Sequence, residues 1–102
     1  MDDLYIKKVL NGDVEAYSYL VKQYQSLAIR TAMAVVKNEK DAQDVVQNSF
    51  IQAYTSLSKY RHEAKFSTWL CKIVINKSLT FIKRKRPQFL ESLGIIENSP
   101  NP

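Results

Sequence analysis

At 102 residues, 45% of them hydrophobic and 11% aromatic, the chain has room for one small domain around one core. Its formal net charge is +5, and its two glycines and three prolines, the prolines all at or beyond position 87, leave long helices uninterrupted up to that point. The single Cys71 excludes an intramolecular disulfide, no cationic and apolar leader opens Met1 to Gly12, and no apolar run approaches the ~20 residues that span a bilayer. A cytoplasmic location is therefore expected and membrane insertion is not.

Leu4 to Leu10, with Ile6, Val9 and Leu10 apolar, predicts a short helix closed by Asn11-Gly12, because glycine readily takes the left-handed conformation that ends a helix. Asp13 then caps a second helix running to about Lys37. In it Tyr17, Leu20, Val21, Tyr24, Ala28 and Val35 recur at helical spacing, and Ala16, Ala28, Ala32 and Ala34 allow neighbouring helices to approach closely. Asn38 predicts the cap of a third helix, with Asp41 in its first turn, where a carboxylate faces the positive end of the helix dipole.

On that third helix Ala42, Val45, Val46, Ser49, Phe50, Ala53, Tyr54 and Leu57 fit the core face. The far face carries Asp44, Gln47, Asn48, Ile51 and Thr55, so a branched apolar residue stands among acid and amide groups. Isolated exposed apolar residues are common, but an apolar centre rimmed by hydrogen-bonding groups is also how a small protein-binding patch is built. Ser58 to Ala64 breaks the periodicity and predicts a loop. Within it Tyr60 is either a lid on the core or, beside Arg61, a surface on which a base stacks.

The last helix carries two faces. Phe66, Trp69, Leu70, Ile73 and Val74, extended by Phe81 and Ile82, form a core arc. About a quarter-turn round, Lys65, Trp69, Lys72, Asn76 and Lys83, with Thr80 beside them, form a second stripe of cations, one amide and an indole edge. Phosphate calls for cations, a base edge for a group that both donates and accepts, and an unstacked base for a flat aromatic. The charge distribution supports a polyanion partner. Residues 59–86 hold nine Lys or Arg against Glu63 alone, a net +8, whereas residues 1–58 are −1 and residues 87–102 are −2. Lys83-Arg84-Lys85-Arg86 places cations at the negative end of the helix, and Pro87 is expected to stop it. Beyond, Phe89, Leu90, Leu93, Ile95 and Ile96 predict an amphipathic turn or two packed either on a neighbour or on something outside this chain, and Asn98 to Pro102 a tail.

No catalytic constellation emerges. His62 is the only histidine and lies in a charged loop, there is no glycine-rich phosphate loop or serine elbow, and Asp2-Asp3, Asp41 and Asp44 have capping and surface roles. Binding without catalysis is expected, with no cofactor and no metal. The fold expected is all-α, a compact bundle of three to four helices. The residues alone leave three functions open: capture of a single strand, a small helical binder of duplex DNA, and a protein-interaction module for an acidic partner.

The run DAQDVVQNSFIQAY at 41–54 followed by YRHEAKFSTWLCKIVINKSLTFIKRKR at 60–86 resembles region 2 of the bacterial sigma factors, closest to the extracytoplasmic-function (ECF) group. The resemblance covers approximately residues 8–87. It implies an all-helical domain that docks on the coiled coil of the RNA polymerase β′ clamp and reads the promoter minus-ten element as a melted non-template strand. The clamp-docking residues it implies are Asp44, Gln47, Asn48 and Ile51. Where the family usually has Glu this chain has Asn48, which replaces one clamp-facing charge by a neutral hydrogen-bonding group.

Tyr60, Ile73 and Asn76 match positions that in the family form a pocket for a flipped-out minus-ten base. Trp69 matches one that in primary sigma factors wedges at the upstream edge of the bubble, packing being the alternative role here. Arg61, Lys65, Lys72, Lys77 and Lys83 would attract phosphate regardless of sequence. Residues 1–87 are expected to be region 2, and residues 88–102 the start of a linker to a second DNA-binding domain, region 4, that this chain does not contain. On that reading it is a piece of a longer factor and does not start transcription alone. Anti-sigma factors cover the same surfaces in the family, so such a factor is a further implied partner, with Phe89 to Ile96 belonging either to that interface or to the linker.

Overall fold

The computed structural model describes the backbone of residues 1–92 and the side chains of residues 1–85. Among the described residues four α-helices follow one another: α1 (Asp2–Leu10), α2 (Glu15–Val36), α3 (Glu39–Ser56) and α4 (Phe66–Ser92), with a 3-10 turn, Leu57–Lys59, after α3. The all-α bundle is the architecture that the sequence predicts.

The chain signals account for the helix ends. After α1 the Gly12 amide donates to Val9 O at 3.0 Å and the Asp13 amide to Lys8 O at 2.9 Å, while Gly12 takes φ 101°. This pair of bonds needs a residue free to adopt a positive φ, which is why glycine stands there. Asp13 Oδ1 accepts from the Ala16 amide at 3.3 Å, opening α2. Asn38 is extended at φ −145°, and its side-chain oxygen accepts from the Asp41 amide at 2.9 Å. It satisfies one of the first-turn donors that a helix leaves unpaired.

Packing then follows from the apolar faces. Helix α2 lies at the centre and touches α1, α3 and α4, while α3 also packs on α4. Leu20, Ala28 and Ala32 of α2, Ala42 and Ala53 of α3, and Leu70 and Val74 of α4 are fully buried. Alanine at so many of these positions leaves little side chain between the helices, so their backbones come close. Two serines occupy the same interior. Ser49 Oγ donates to Val45 O and Ser78 Oγ to Val74 O, each at 2.7 Å, so neither hydroxyl is left without a partner in a dry site.

Four expectations need correction. Tyr54, assigned to the core face, is 39% exposed, and Leu10 and Ala34 also face outward. These residues sit at the margins of their apolar arcs, and Tyr54 instead lays its ring edge against Tyr17 at 5.1 Å. Helix α4 does not stop at Pro87 but continues to Ser92. A proline inside a helix removes one amide donor and crowds the carbonyl four residues back, at about 3 kcal/mol, yet the hydrogen bonds on either side of it can still form. The helix therefore crosses the expected boundary between residues 87 and 88. The predicted packing of Phe89 and Leu90 concerns side chains outside the described set, and Leu93, Ile95, Ile96 and the tail lie outside the described residues altogether.

Candidate nucleic-acid interface

The stripe of α4 is a surface. Arg61, Lys65, Lys72, Asn76, Thr80 and Lys83 are exposed, and Trp69, Ile73 and Lys77 are half-buried beside them. Positions 65, 72, 76 and 83 recur at seven, four and seven residues, which a 3.6-residue period brings to one side of the cylinder. The core arc on the other side is held in place by Phe66, Leu70, Val74 and Ser78, so this outer face has a fixed aim.

The loop before α4 is tied to that helix through Tyr60. Only 9% of this residue is exposed; its hydroxyl donates to Ala64 O at 2.5 Å, and its ring lies 5.2 Å from Trp69 and 6.0 Å from Phe66. Burial pushes the Tyr60 phenol upward, and the carboxylates of Asp3 and Asp2 push it further. The lid role is thus the one its position supports. His62 turns the loop with φ 63°, in the left-handed region, and its Nδ1 lies 3.5 Å from Asp3 Oδ1 in an exposed contact. Behind the loop, the Tyr24 hydroxyl donates to Asp2 and its ring lies 5.4 Å from Phe66, joining α1 and α2 to the start of α4.

Two shallow concavities open along this face. The first, about 250 Å³, has Tyr60, Arg61, Trp69 and Lys72 in its wall. The second, about 290 Å³, lies between α3 and α4 and takes its wall from Ile73, Asn76, Lys77 and Thr80 on one side and Asn48 and Gln52 on the other. The expected grouping of Tyr60 with Ile73 and Asn76 is therefore divided. Tyr60 turns its ring onto Trp69 and Phe66 and borders the first concavity, and the other two border the second.

The far face of α3 is also split. Asp44, Gln47, Asn48 and Ile51 are all exposed, with Ile51 at 59%. Gln47 and Ile51 border a larger apolar groove of about 790 Å³ between α2 and α3, whose α2 side includes Val14, Tyr17, Val21 and Ile29. Tyr17 ties the two helices together there by donating to Phe50 O at 2.5 Å. Asn48 is not part of that groove and borders the second concavity instead, as Asn76 does. The α2 wall escapes the sequence expectation, although positions 14, 17, 21, 25 and 29 carry the signal: a second, mostly apolar stripe at helical spacing beside the core arc.

Taken together, the fold and the surface define a small helical module with a cationic, amide-bearing face, and comparison with known proteins gives its family. Residues 20–88 match the family Sigma-70 region 2. Among curated relatives, the ECF RNA polymerase sigma factor SigW of Bacillus subtilis is 32% identical across 82% of this chain and 45% of its own length. The ECF RNA polymerase sigma-E factor of Escherichia coli K12 is 30% identical across 99% of this chain and 59% of its own. The chain thus spans about half the length of the curated relatives it matches. An NMR structure of an engineered region 2 of sigmaE in complex with GTAAAA superposes with a TM-score of 0.80 at 32% identity, covering 86% of this chain and 92% of that one. The chain belongs to the sigma-70 region 2 family, with relatives among the ECF RNA polymerase sigma factors. Among the described residues no helix is long and apolar enough to cross a membrane, and no group of three His, Cys, Asp or Glu is placed to hold a metal.

Proposed function

We propose that this chain recognises the promoter minus-ten element as a melted single strand while docked on the β′ clamp of RNA polymerase. The observation that carries this is the outward face of α4, where Lys65, Lys72, Asn76 and Lys83 stand exposed along one line beside the half-buried Trp69. Lysines give attraction without sequence preference, and Asn76 supplies an amide that distinguishes base edges. Unpairing a few base pairs costs a few kcal/mol, and each stacked base returns about 1–3 kcal/mol, so a surface that captures extruded bases favours the open promoter. The structural neighbour that holds GTAAAA supports this reading.

Docking is assigned to Asp44, Gln47, Asn48 and Ile51, all exposed on α3, where the apolar Ile51 is flanked by hydrogen-bonding groups and, with Gln47, borders the α2–α3 groove. An anti-sigma factor would compete for these surfaces. The relatives extend well beyond the matched stretch, in keeping with residues 1–87 acting as region 2 of a longer factor.

The test is fluorescence anisotropy of short single-stranded oligonucleotides of varied sequence against matched duplexes. Single strands should bind more tightly, with a base preference that Asn76→Ala weakens. Preference for duplex would favour a groove-binding helix instead, and indifference to base identity in the wild type would favour a module for an acidic protein.

A further inference from the structure

Resting on the single-strand reading for the outer side of the loop before α4, we infer that α1 positions that loop: Asp3 holds His62 and Asp2 holds Tyr24, and the Asp3–His62 pair makes strand binding depend on pH. The loop has two sides. Its outer side borders the first concavity with Arg61, Trp69 and Lys72, and its inner side borders another, of about 600 Å³, whose wall includes Asp2, Asp3 and Tyr24. Tyr60, Glu63 and Ala64 line both, so whatever fixes the inner side also sets the shape of the outer one.

Both attachments cross between elements. The Tyr24 hydroxyl donates to Asp2, with its ring 5.4 Å from Phe66 at the start of α4, and Asp3 Oδ1 lies 3.5 Å from His62 Nδ1. The positive end of the helix dipole explains carboxylates in the first turn of α1, but not that each meets a partner outside α1. His62 sits at φ 63°, a left-handed conformation that a residue with a side chain holds where its surroundings impose it, and its ring lies 4.3 Å from that of Tyr60. Tyr60 in turn packs on Trp69, 5.2 Å away, so the contact with α1 reaches the strand face through a chain of packed rings.

Histidine gains its proton between about pH 8 and 5, and the pair attracts only in the protonated form. Asp2 and Asp3 of α1, Tyr24 of α2, and Tyr60, Glu63 and Lys65 around the loop share its concavity, together with Met1. Carboxylates, phenols and lysines keep their charge states across that range, and an α-amino group changes only at its upper edge. The attachment is therefore complete on the acid side of the histidine range and is lost as pH rises through it.

The experiment follows two signals in the full 102-residue chain between about pH 5.5 and 8. One is the anisotropy of labelled single-stranded GTAAAA, the hexamer held by the structural neighbour. The other is the emission of Trp69, the chain's single tryptophan, without DNA. Lowering the pH should tighten strand binding about threefold, within the range of an exposed ion pair, and shift the Trp69 emission. Asp3→Asn should flatten both profiles and weaken acid-side binding about threefold, although it removes a negative charge near a polyanion. Its melting temperature at about pH 8 should match the wild type, since the Asp3 side chain is 84% exposed and its partner there is neutral. His62→Gly, which keeps the positive φ without the ring, should flatten both profiles too. Tyr24→Phe, which removes only the hydroxyl, should weaken strand binding at every pH alike.

Attraction of phosphate to a protonated His62 by itself gives the reverse for Asp3→Asn: tighter binding with the pH dependence intact. That result overturns the inference, as does a wild-type Trp69 emission indifferent to pH. Failure of the wider reading looks different: Trp69 emission then follows pH and Asp3 as described, so the attachment stands, while the wild type shows no preference for single strands over duplex.

Discussion

Replacing Lys72 with alanine asks whether the lysines of α4 meet phosphate. Lys65, Lys72 and Lys83 are exposed on one face and Lys77 is half-buried beside them. Each phosphate neutralised on a single strand contributes about −0.7 to the slope of log affinity against log salt. Four contacts give a slope of about −2.8, so a fourfold rise in salt should weaken binding about fiftyfold. Without Lys72 the slope should fall to about −2.1 and the weakening to about eighteenfold over the same range. Anisotropy with labelled hexamers between about 50 and 200 mM salt measures both quantities. Because a lysine at phosphate carries no base information, affinity should fall for every sequence alike. An unchanged slope, or a loss confined to one sequence, would refute the phosphate assignment even if the lysine lies near the strand.

Other consequences follow from the same structure. Ile51→Glu should abolish capture of polymerase core in a pull-down while leaving the melting temperature unchanged, since the side chain is 59% exposed; undiminished capture would remove that patch from the docking face. Asn38→Ala removes the acceptor for the Asp41 amide and should cost about 1 kcal/mol in urea unfolding with no change in m-value.

Alkaline pH should destabilise the fold. Burial is the first cause raising the phenols of Tyr17, Tyr24 and Tyr60 above their ordinary value of 10.0; a hydrogen bond to Asp2 adds to it at Tyr24 and nearby carboxylates at Tyr60. The folded chain thus keeps protons that the unfolded chain releases above the ordinary phenol value. Stability from these groups is complete below about pH 10 and declines as pH rises beyond it, so melting temperature should drop there, and a flat profile up to about pH 11.5 would contradict the burial of these rings.

Local signals carried most of the architecture. The turn at Gly12, the cap at Asn38 and the small residues at 28, 32, 42 and 53 act on neighbours within a few positions or through side-chain size, so they are legible before any helix has a partner. The two faces of α4 were equally legible, because periodicity alone fixes which side chains share a side of a cylinder. Pro87 misled because a helix tolerates one missing donor when the bonds flanking it remain, and propensity by itself does not weigh those bonds.

Tertiary packing decided how the faces combine. Gln47 and Asn48 are adjacent in the chain and both exposed on α3, and the step between them around the helix puts one at the border of a groove with α2 and the other at the border of a groove with α4. Tyr60, Ile73 and Asn76 were expected to share one pocket, but the tyrosine ring is drawn onto Trp69 and Phe66. A sequence specifies which residues lie on each helix face, because that depends on the backbone's own repeat. Which neighbouring helix closes each groove depends on how the apolar faces of all four pack together, and only the assembled bundle supplies that.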